Sequence, residues 1–261
     1  MEKDPETPPP GLSGGAPSGT GGAGGREGAV RDGGGAGEGG VPGRGPSAGK
    51  GRIPGDWLYL GFTHAPLAAL GPGLRVGVWT RGCGLGCPGC VAPELRTARP
   101  EDAVAATELA AWAAGTARER GLRGLTVSGG EPFHRPEALK AFLELCRAGG
   151  LDDVLVYSGR RASELVVSFP WVPDLVTALV DGPFELGRPS SRPWKGSEGQ
   201  TLTVFGKGEL ARLYAAWEAS DERPLQMVAF PDGAVRILGI PKIGAYDSIF
   251  GARDGPVPGG G

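Results

Sequence analysis

Cysteine, histidine and methionine are scarce in this sequence. Its 261 residues include four cysteines, two histidines and two methionines. We find neither a Ser/His/Asp arrangement nor a pair of carboxylates spaced for general acid–base catalysis, so hydrolysis by those routes is not expected. Three of the four cysteines lie within eight residues. That crowding favours a metal site in a reducing compartment over a disulfide framework, and it predicts a cytoplasmic protein.

The sequence also lacks an excess of charge and a long apolar run. Its 27 basic and 29 acidic residues leave a formal net charge of −2. No strong field would gather a nucleic acid or a membrane surface, so neither is a predicted partner. No run of about 18 apolar residues occurs, so no transmembrane helix is expected. The charged, proline-rich start of the chain predicts no secretory signal.

Glycine and proline are abundant, with 50 and 25 residues, and they are concentrated near the two ends of the sequence. Residues 1–52 are mainly Gly, Pro, Ala and Ser, which cannot bury enough apolar surface to offset the entropy of ordering. We therefore expect a disordered tail over 1–52, a globular domain over 53–245 and a flexible tail over 246–261.

Strands and helices are predicted to alternate through the globular part. Strands are expected over 74–79, 122–127, 154–157, 175–180 and 202–205, and helices over 104–120, 136–148, 162–168 and 208–219. Pro231-Asp232-Gly233 between two apolar runs predicts a hairpin. This order indicates an α/β fold with a parallel sheet, whose strands present ligand sites at their carboxyl ends. Five to six strands are too few for a closed barrel, which favours an incomplete TIM-type barrel with an open side.

The cysteine-rich segment follows the first of these strands. Cys83, Cys87 and Cys90 are separated by three and then two residues, among several glycines. Three thiolates can occupy three corners of a [4Fe-4S] cluster and leave one iron open, while the glycines let the backbone wrap closely around it. A zinc site is the alternative, since Cys146 or His64 could supply a fourth ligand. We expect Cys146 to pack inside a helix and His64 to lie at the surface.

A glycine-rich turn follows the second strand. The segment Ser128-Gly129-Gly130-Glu131-Pro132 presents backbone carbonyls beside a carboxylate, and these acceptors suit a primary ammonium group. Taken alone, the segment also fits an ordinary connection between a strand and a helix. Its position next to the cysteine segment in a parallel sheet favours a shared site.

These two segments resemble the signatures of the radical S-adenosylmethionine (SAM) superfamily. More narrowly, the chain is similar to the activating enzymes of glycyl-radical enzymes, in particular the branch that serves anaerobic ribonucleotide reductase. The resemblance covers roughly Leu58 to Lys242. Four features support the narrower match: Cys87-Pro88-Gly89-Cys90, Pro132-Phe133-His134, Leu179-Val180-Asp181-Gly182-Pro183-Phe184, and Gly196-Ser197 followed by Gln200.

The resemblance implies a site in which the three cysteines hold the cluster and SAM chelates its open iron. Gly129, Gly130 and Glu131 would then hold the methionine ammonium group. Gly89 and Val91 would border the adenine, and Ser158 and Asp181 would contact the ribose, the sulfonium side or a cation. For Asp181, capping a turn is an equal alternative. A flavodoxin or ferredoxin would supply one electron, and cleavage of SAM would give a 5′-deoxyadenosyl radical.

Three functions remain open at this point. The first is an activating enzyme whose substrate is a backbone glycine of a partner enzyme. The second is a radical SAM enzyme that modifies another peptide or a small molecule, and the third is a metal-binding module without catalysis. The predicted open side of the barrel favours a polypeptide substrate, because a small-molecule enzyme needs further elements to exclude water.

Overall fold

The computed structural model describes residues 54–230 and 233–242. Its helices are α1 (Ala106–Arg120), α2 (Pro136–Ala148), α3 (Ala162–Ser168), α4 (Val172–Leu175) and α5 (Glu209–Ala219). Its main sheet contains β1 (Trp57–Leu67), β2 (Arg75–Thr80), β3 (Ala103–Ala105), β4 (Gly124–Gly129), β5 (Asp153–Ser158), β6 (Ala178–Asp181) and β7 (Thr201–Val204). A separate two-stranded sheet contains β8 (Gln226–Ala229) and β9 (Val235–Leu238).

The seven strands of the main sheet are arranged in the order β3-β1-β2-β4-β5-β6-β7. The neighbours β2, β4, β5 and β6 are parallel, whereas β1, β3 and β7 pair antiparallel with their neighbours. The predicted α/β class and the parallel strands are therefore confirmed. Seven strands exceed the five to six expected, and the TIM-type barrel stays a prediction.

Most predicted elements lie close to their expected bounds, and α2 and α3 match them at both ends. The helix expected from residue 104 begins at Ala106, because Val104 pairs with Leu58 in the β3–β1 ladder. The strand expected from residue 175 begins at Ala178, because residue 175 ends α4. The tails predicted over 1–52 and 246–261 lie outside the described residues, as do Pro231 and Asp232 of the predicted hairpin turn.

The parallel strands are covered on both faces, which explains their nearly continuous apolar sequences. In β5, Val154 and Val156 pack in a core cluster with residues of α1 and α2. The alternate residue Leu155 belongs to a second cluster with Trp194 and Tyr214, on the opposite face. A third cluster joins the β8–β9 hairpin to the main sheet through Leu67, Trp79, Leu95 and Leu238.

A buried polar network lies at the amino ends of the parallel strands. Arg75 at the start of β2 is fully buried and pairs with Asp153 at the start of β5. Its guanidinium also donates to Thr126 Oγ1 at 2.8 Å and to the Leu125 carbonyl at 2.9 Å. The Tyr214 hydroxyl of α5 donates to Asp153 Oδ1 at 2.7 Å. The network therefore ties β2, β4, β5 and α5 together at the end of the sheet away from the cysteines.

Among the described residues, none of the helices has both the length and the apolar character needed to cross a bilayer.

Candidate functional site

The predicted site residues meet at the carboxyl ends of the parallel strands. Thr80, which precedes the cysteine segment, pairs in register with Gly129 at the end of β4. Ser158 at the end of β5 pairs with Asp181 at the end of β6. The parallel pairing therefore brings the cysteine segment, the Gly-Gly-Glu turn and both later strand ends to one edge of the sheet, as the sequence predicted.

The cysteine loop, residues 82–91, is held at its start and left open at its tip. The backbone N–H of Gly82 donates to the Leu95 carbonyl at 3.0 Å, and that of Cys83 donates to the Arg96 carbonyl at 2.9 Å. All three cysteines are half-buried, whereas the residues between Cys83 and Cys87 are exposed. The loop therefore has a fixed base and presents three free thiols near the surface.

Glycines in left-handed backbone conformations shape this loop. Gly82, Gly86 and Gly89 have φ angles of 94°, 66° and 66°. Residues with a side chain rarely adopt such backbone angles, so glycine at these positions lets the chain turn sharply before and between the cysteines. A Cβ on Gly82 would also collide with the ring of His134. The three thiols and the closely wrapped backbone fit a [4Fe-4S] cluster held by three thiolates.

The thiol of Cys83 lies in a field that opposes ionisation. Burial raises its pKa, and the negative charges of Glu131, Cys87 and Cys90 raise it further, while a backbone hydrogen bond at Leu85 lowers it. A bound cationic iron centre would reverse this effect, because metal ligation requires the thiolate and releases its proton.

The Gly-Gly-Glu turn packs against the base of the cysteine loop. Gly130 N–H donates to the Thr80 carbonyl at 2.9 Å, and Glu131 N–H donates to the Gly82 carbonyl at 2.8 Å. A Cβ on Gly130 would lie 2.6 Å from the Gly82 carbonyl oxygen, and one on Gly129 would collide with the backbone of Thr80. Both glycines therefore permit a close approach of two backbones, which the sequence pattern alone did not reveal.

The Glu131 carboxylate joins the ends of β4 and β5. Its Oε1 accepts from Phe133 N–H at 3.0 Å and from Ser158 Oγ at 2.9 Å, and its Oε2 accepts from Gly159 N–H at 2.9 Å. The residue is 4% exposed, and burial raises its pKa although these hydrogen bonds favour the charged form. Glu131 and Ser158 therefore contact each other directly, and both shape the site from within the protein.

The carboxylate of Asp181, at the end of β6, accepts hydrogen bonds from three groups. Its Oδ1 accepts from Thr201 Oγ1 at 3.0 Å and from Thr203 Oγ1 at 2.9 Å, which connects β6 to β7. Its Oδ2 accepts from the Ala162 N–H at the start of α3, at 3.1 Å. Both oxygens therefore accept hydrogen bonds from the protein, but these three donors belong to α3 and β7 and not to the Gly182-Pro183 turn that the capping alternative invoked.

Apolar side chains lie within the cysteine loop and beside it. Val91, predicted to border the adenine, is 72% exposed. Leu85 lies over Gly159, where an added Cβ would collide with it, and Leu186 lies over Gly89. Sequence reasoning missed both leucines. No local signal connects Leu186 with Gly89, because the two residues belong to segments nearly one hundred positions apart.

The zinc alternative involved Cys146 and His64. Cys146 is fully buried in the α2 core, as expected, and burial strongly raises its pKa. His64 lies in β1 and is half-buried beside Phe230. Over 54–230 and 233–242, no group of three or more His, Cys, Asp or Glu side chains is arranged to hold a single metal ion.

Arg81 lies at the base of the cysteine loop, and its side chain contacts the segment that follows the loop. Its Nε is 3.3 Å from Asp102 Oδ2, and its guanidinium donates to the Glu94 carbonyl at 2.7 Å. These contacts brace the segment that follows the cysteines. Arg81 therefore acts in the structure as a support for the loop.

Comparison with known proteins agrees with this geometry. Residues 69–203 match the family model described as a 4Fe-4S single cluster domain. The chain is 30% identical over 140 residues to the anaerobic ribonucleoside-triphosphate reductase-activating protein of Escherichia coli K12, a match covering 51% of this chain and 89% of the relative. The protein of the same name from Salmonella typhimurium LT2 is 30% identical over 141 residues, with the same two coverages. The chain therefore belongs to the 4Fe-4S single cluster domain family and is homologous to the anaerobic ribonucleoside-triphosphate reductase-activating proteins.

Proposed function

We propose that this protein is a radical SAM enzyme that activates an anaerobic ribonucleotide reductase by installing a glycyl radical. One observation carries the proposal: a glycine-shaped loop with three thiols packs at its base against a Gly-Gly-Glu turn, at the carboxyl ends of parallel strands, in a homologue of reductase-activating proteins. Cys83, Cys87 and Cys90 would ligate the cluster.

The cluster and SAM together would supply the one-electron cleavage of a carbon–sulfur bond that produces a 5′-deoxyadenosyl radical. The protein's own residues would position that chemistry. The turn of Gly129 and Gly130 would offer backbone carbonyls to the methionine ammonium group at the base of the cysteine loop. Gly89 and Val91 would border the adenine from the loop tip.

Glu131 and Asp181 would act mainly through the residues they hold. The Glu131 carboxylate fixes the start of the Ser158–Arg160 turn through Ser158 and Gly159. Asp181 fixes the start of α3 and the root of β7. Both carboxylates would therefore keep the strand ends in place around SAM, with Ser158 near the ribose or the sulfonium side.

The test begins with anaerobic reconstitution of the full-length protein. Four iron and four sulfide per chain, followed by 5′-deoxyadenosine formation with SAM and a one-electron reductant, are expected. A flavodoxin or ferredoxin should serve as that reductant. Adding an anaerobic ribonucleotide reductase should give an organic radical signal whose splitting changes when its glycine is deuterated. Iron binding without SAM cleavage would instead identify a metal-binding module.

A second candidate substrate is favoured by elements beyond the family match. The helix α5 and the β8–β9 hairpin follow residue 203, where the match ends. Leu238 of the hairpin packs with Trp79 and Leu95, which flank the cysteine loop in sequence. Such additions suit a radical SAM enzyme that acts on a different peptide or on a small molecule. Tight coupling of 5′-deoxyadenosine formation to such a substrate, with no radical on the reductase, would establish this function.

A further inference from the structure

The connection between β6 and β7 is an ordered element, here named the strap and defined as residues 183–200. Its two ends are joined at the sheet, where Asp181 pairs in register with Thr201. The guanidinium of Arg161, beside the start of α3, donates to the Gly199 carbonyl at 2.7 Å. The indole of Trp194, which is 4% exposed, donates to the Glu218 carbonyl of α5 at 3.2 Å. The strap is thus fixed to the body of the domain along its length.

Two polar side chains hold the strap together from inside. Gln200 Oε1 accepts from the N–H groups of Gly196 and Ser197 at 2.8 and 3.2 Å, and its Nε2 donates to the Gly182 carbonyl at 3.3 Å. Ser197 is fully buried, and its Oγ accepts from Glu185 N–H at 3.1 Å. These bonds connect the outgoing and returning halves of the strap directly beside Leu186.

Leu186 projects from this braced segment onto the cysteine loop. A Cβ on Gly89 would lie 2.7 Å from Leu186 Cδ2 and 3.1 Å from its Cγ, so the leucine occupies the space beside that glycine. Gly89 lies inside the turn that Cys90 N–H closes on the Cys87 carbonyl at 3.3 Å. Leu186 is nevertheless 63% exposed. An apolar side chain is therefore held over the turn between two cysteines although most of its surface remains in water.

We propose that Leu186 is a positioning residue for the cysteine loop. The strap holds the leucine against Gly89 and so keeps the Cys87–Cys90 turn closed, whether or not iron is bound. The leucine reaches no reacting atom; it acts through the backbone of the loop. The consequence for cluster retention rests on the proposed function, whereas the effect on the turn does not.

The test measures hydrogen exchange of the full-length protein in a peptide covering residues 86–91, under reducing conditions before cluster reconstitution. Leu186→Ala should accelerate exchange at the Cys90 amide about two- to five-fold, since it removes roughly a third of a leucine's burial from the closed turn. Gln200→Ala should do the same by loosening the strap. Leu186→Met should retain the original rate, and Val167→Ala, at an 80% exposed position of α3, is the matched control.

A second measurement follows iron release to a ferrous chelator after reconstitution. Faster release in Leu186→Ala and Gln200→Ala than in Val167→Ala is the expected result. Failure of all variants to assemble a cluster would contradict the proposed function and leave the exchange experiment intact. Unchanged exchange at Cys90 in Leu186→Ala, or equal acceleration throughout the domain, would overturn the positioning role.

Discussion

Glu131 is the most informative residue to substitute, because the structure and the family resemblance give it different roles. The structure makes it a buried link between strand ends, whereas the resemblance makes it a ligand of SAM. As a direct ligand of the SAM ammonium, its loss would weaken SAM binding and leave the folded protein unaffected. As a buried link between strand ends, its loss would destabilise the protein even in the absence of SAM. The substitution Glu131→Gln separates these roles because it preserves shape and one acceptor oxygen.

The expected cost follows from the three bonds that the carboxylate accepts. The amide oxygen can still serve Phe133 N–H and Ser158 Oγ, but the amide nitrogen would face the Gly159 N–H, 2.9 Å from the former Oε2. Losing one charge-assisted hydrogen bond and leaving the buried Gly159 N–H unpaired costs about 2–4 kcal/mol of folding free energy. Part of this cost is offset, because the neutral amide avoids the desolvation penalty of a buried carboxylate. We expect a net loss of about 2 kcal/mol, or about 4–8 °C in Tm for a domain of this size.

The assay uses circular dichroism at pH 7 to measure thermal unfolding of the full-length protein without its cluster. Ser158→Ala should cost about 1 kcal/mol, since it removes one of the same bonds. The double variant should cost somewhat less than the sum of the two single variants, because Glu131→Gln already weakens the Ser158 bond by replacing its charged acceptor with a neutral one. An unchanged Tm for Glu131→Gln, together with weaker SAM binding by the reconstituted protein, would refute the positioning role.

Three further predictions concern the cysteines, the buried network and pH. Replacing Cys83, Cys87 or Cys90 with Ala should abolish cluster assembly, whereas Cys146→Ala should leave iron loading unchanged; full loading of a Cys87→Ala protein would contradict the assignment. Tyr214→Phe should lower the free energy of unfolding in urea by about 1–2 kcal/mol, because it removes the buried bond to Asp153, and no change would show that α5 is held by packing alone. Burial lowers the pKa of the His64 imidazole in the folded protein, and the charge of Arg120 lowers it further. The unfolded chain therefore binds a proton at His64 more readily, and the free energy of unfolding should fall as pH drops below about 6.5. His64→Gln should flatten that part of a Tm-versus-pH curve, and an unchanged slope would show that His64 does not cause the fall.

Local sequence signals predicted four of the five described helices close to their bounds, but not α4, and they predicted that the candidate-site segments meet at one edge of the sheet. Pro136 and Gly149 mark the ends of α2, and the apolar strands ending in Ser158 and Asp181 converge because parallel strands share an edge. These features depend on neighbouring residues, which a sequence displays directly.

The missing parts depend on contacts between distant segments. The strand β1 was not predicted, since it contains Gly61 and Pro66 and is only partly buried, and it is ordered by antiparallel pairing with β2. The bond between Glu131 and Ser158 joins two strand ends 27 residues apart. The contact of Leu186 with Gly89 likewise arises only when the strap folds back, so no periodicity could indicate it.

The buried network of Arg75, Asp153 and Tyr214 has a consequence for the engineering of this scaffold. Because the ion pair and its hydrogen bonds join three strands and α5 at the amino ends, the alignment of that end of the frame is set by contacts that lie away from the loops at the opposite edge. Exposed positions of the loops at the carboxyl ends can therefore be diversified while the amino ends of the strands stay aligned. A library in the strap should retain this network and also Trp194 and Ser197, which are buried and hold the strap to the domain.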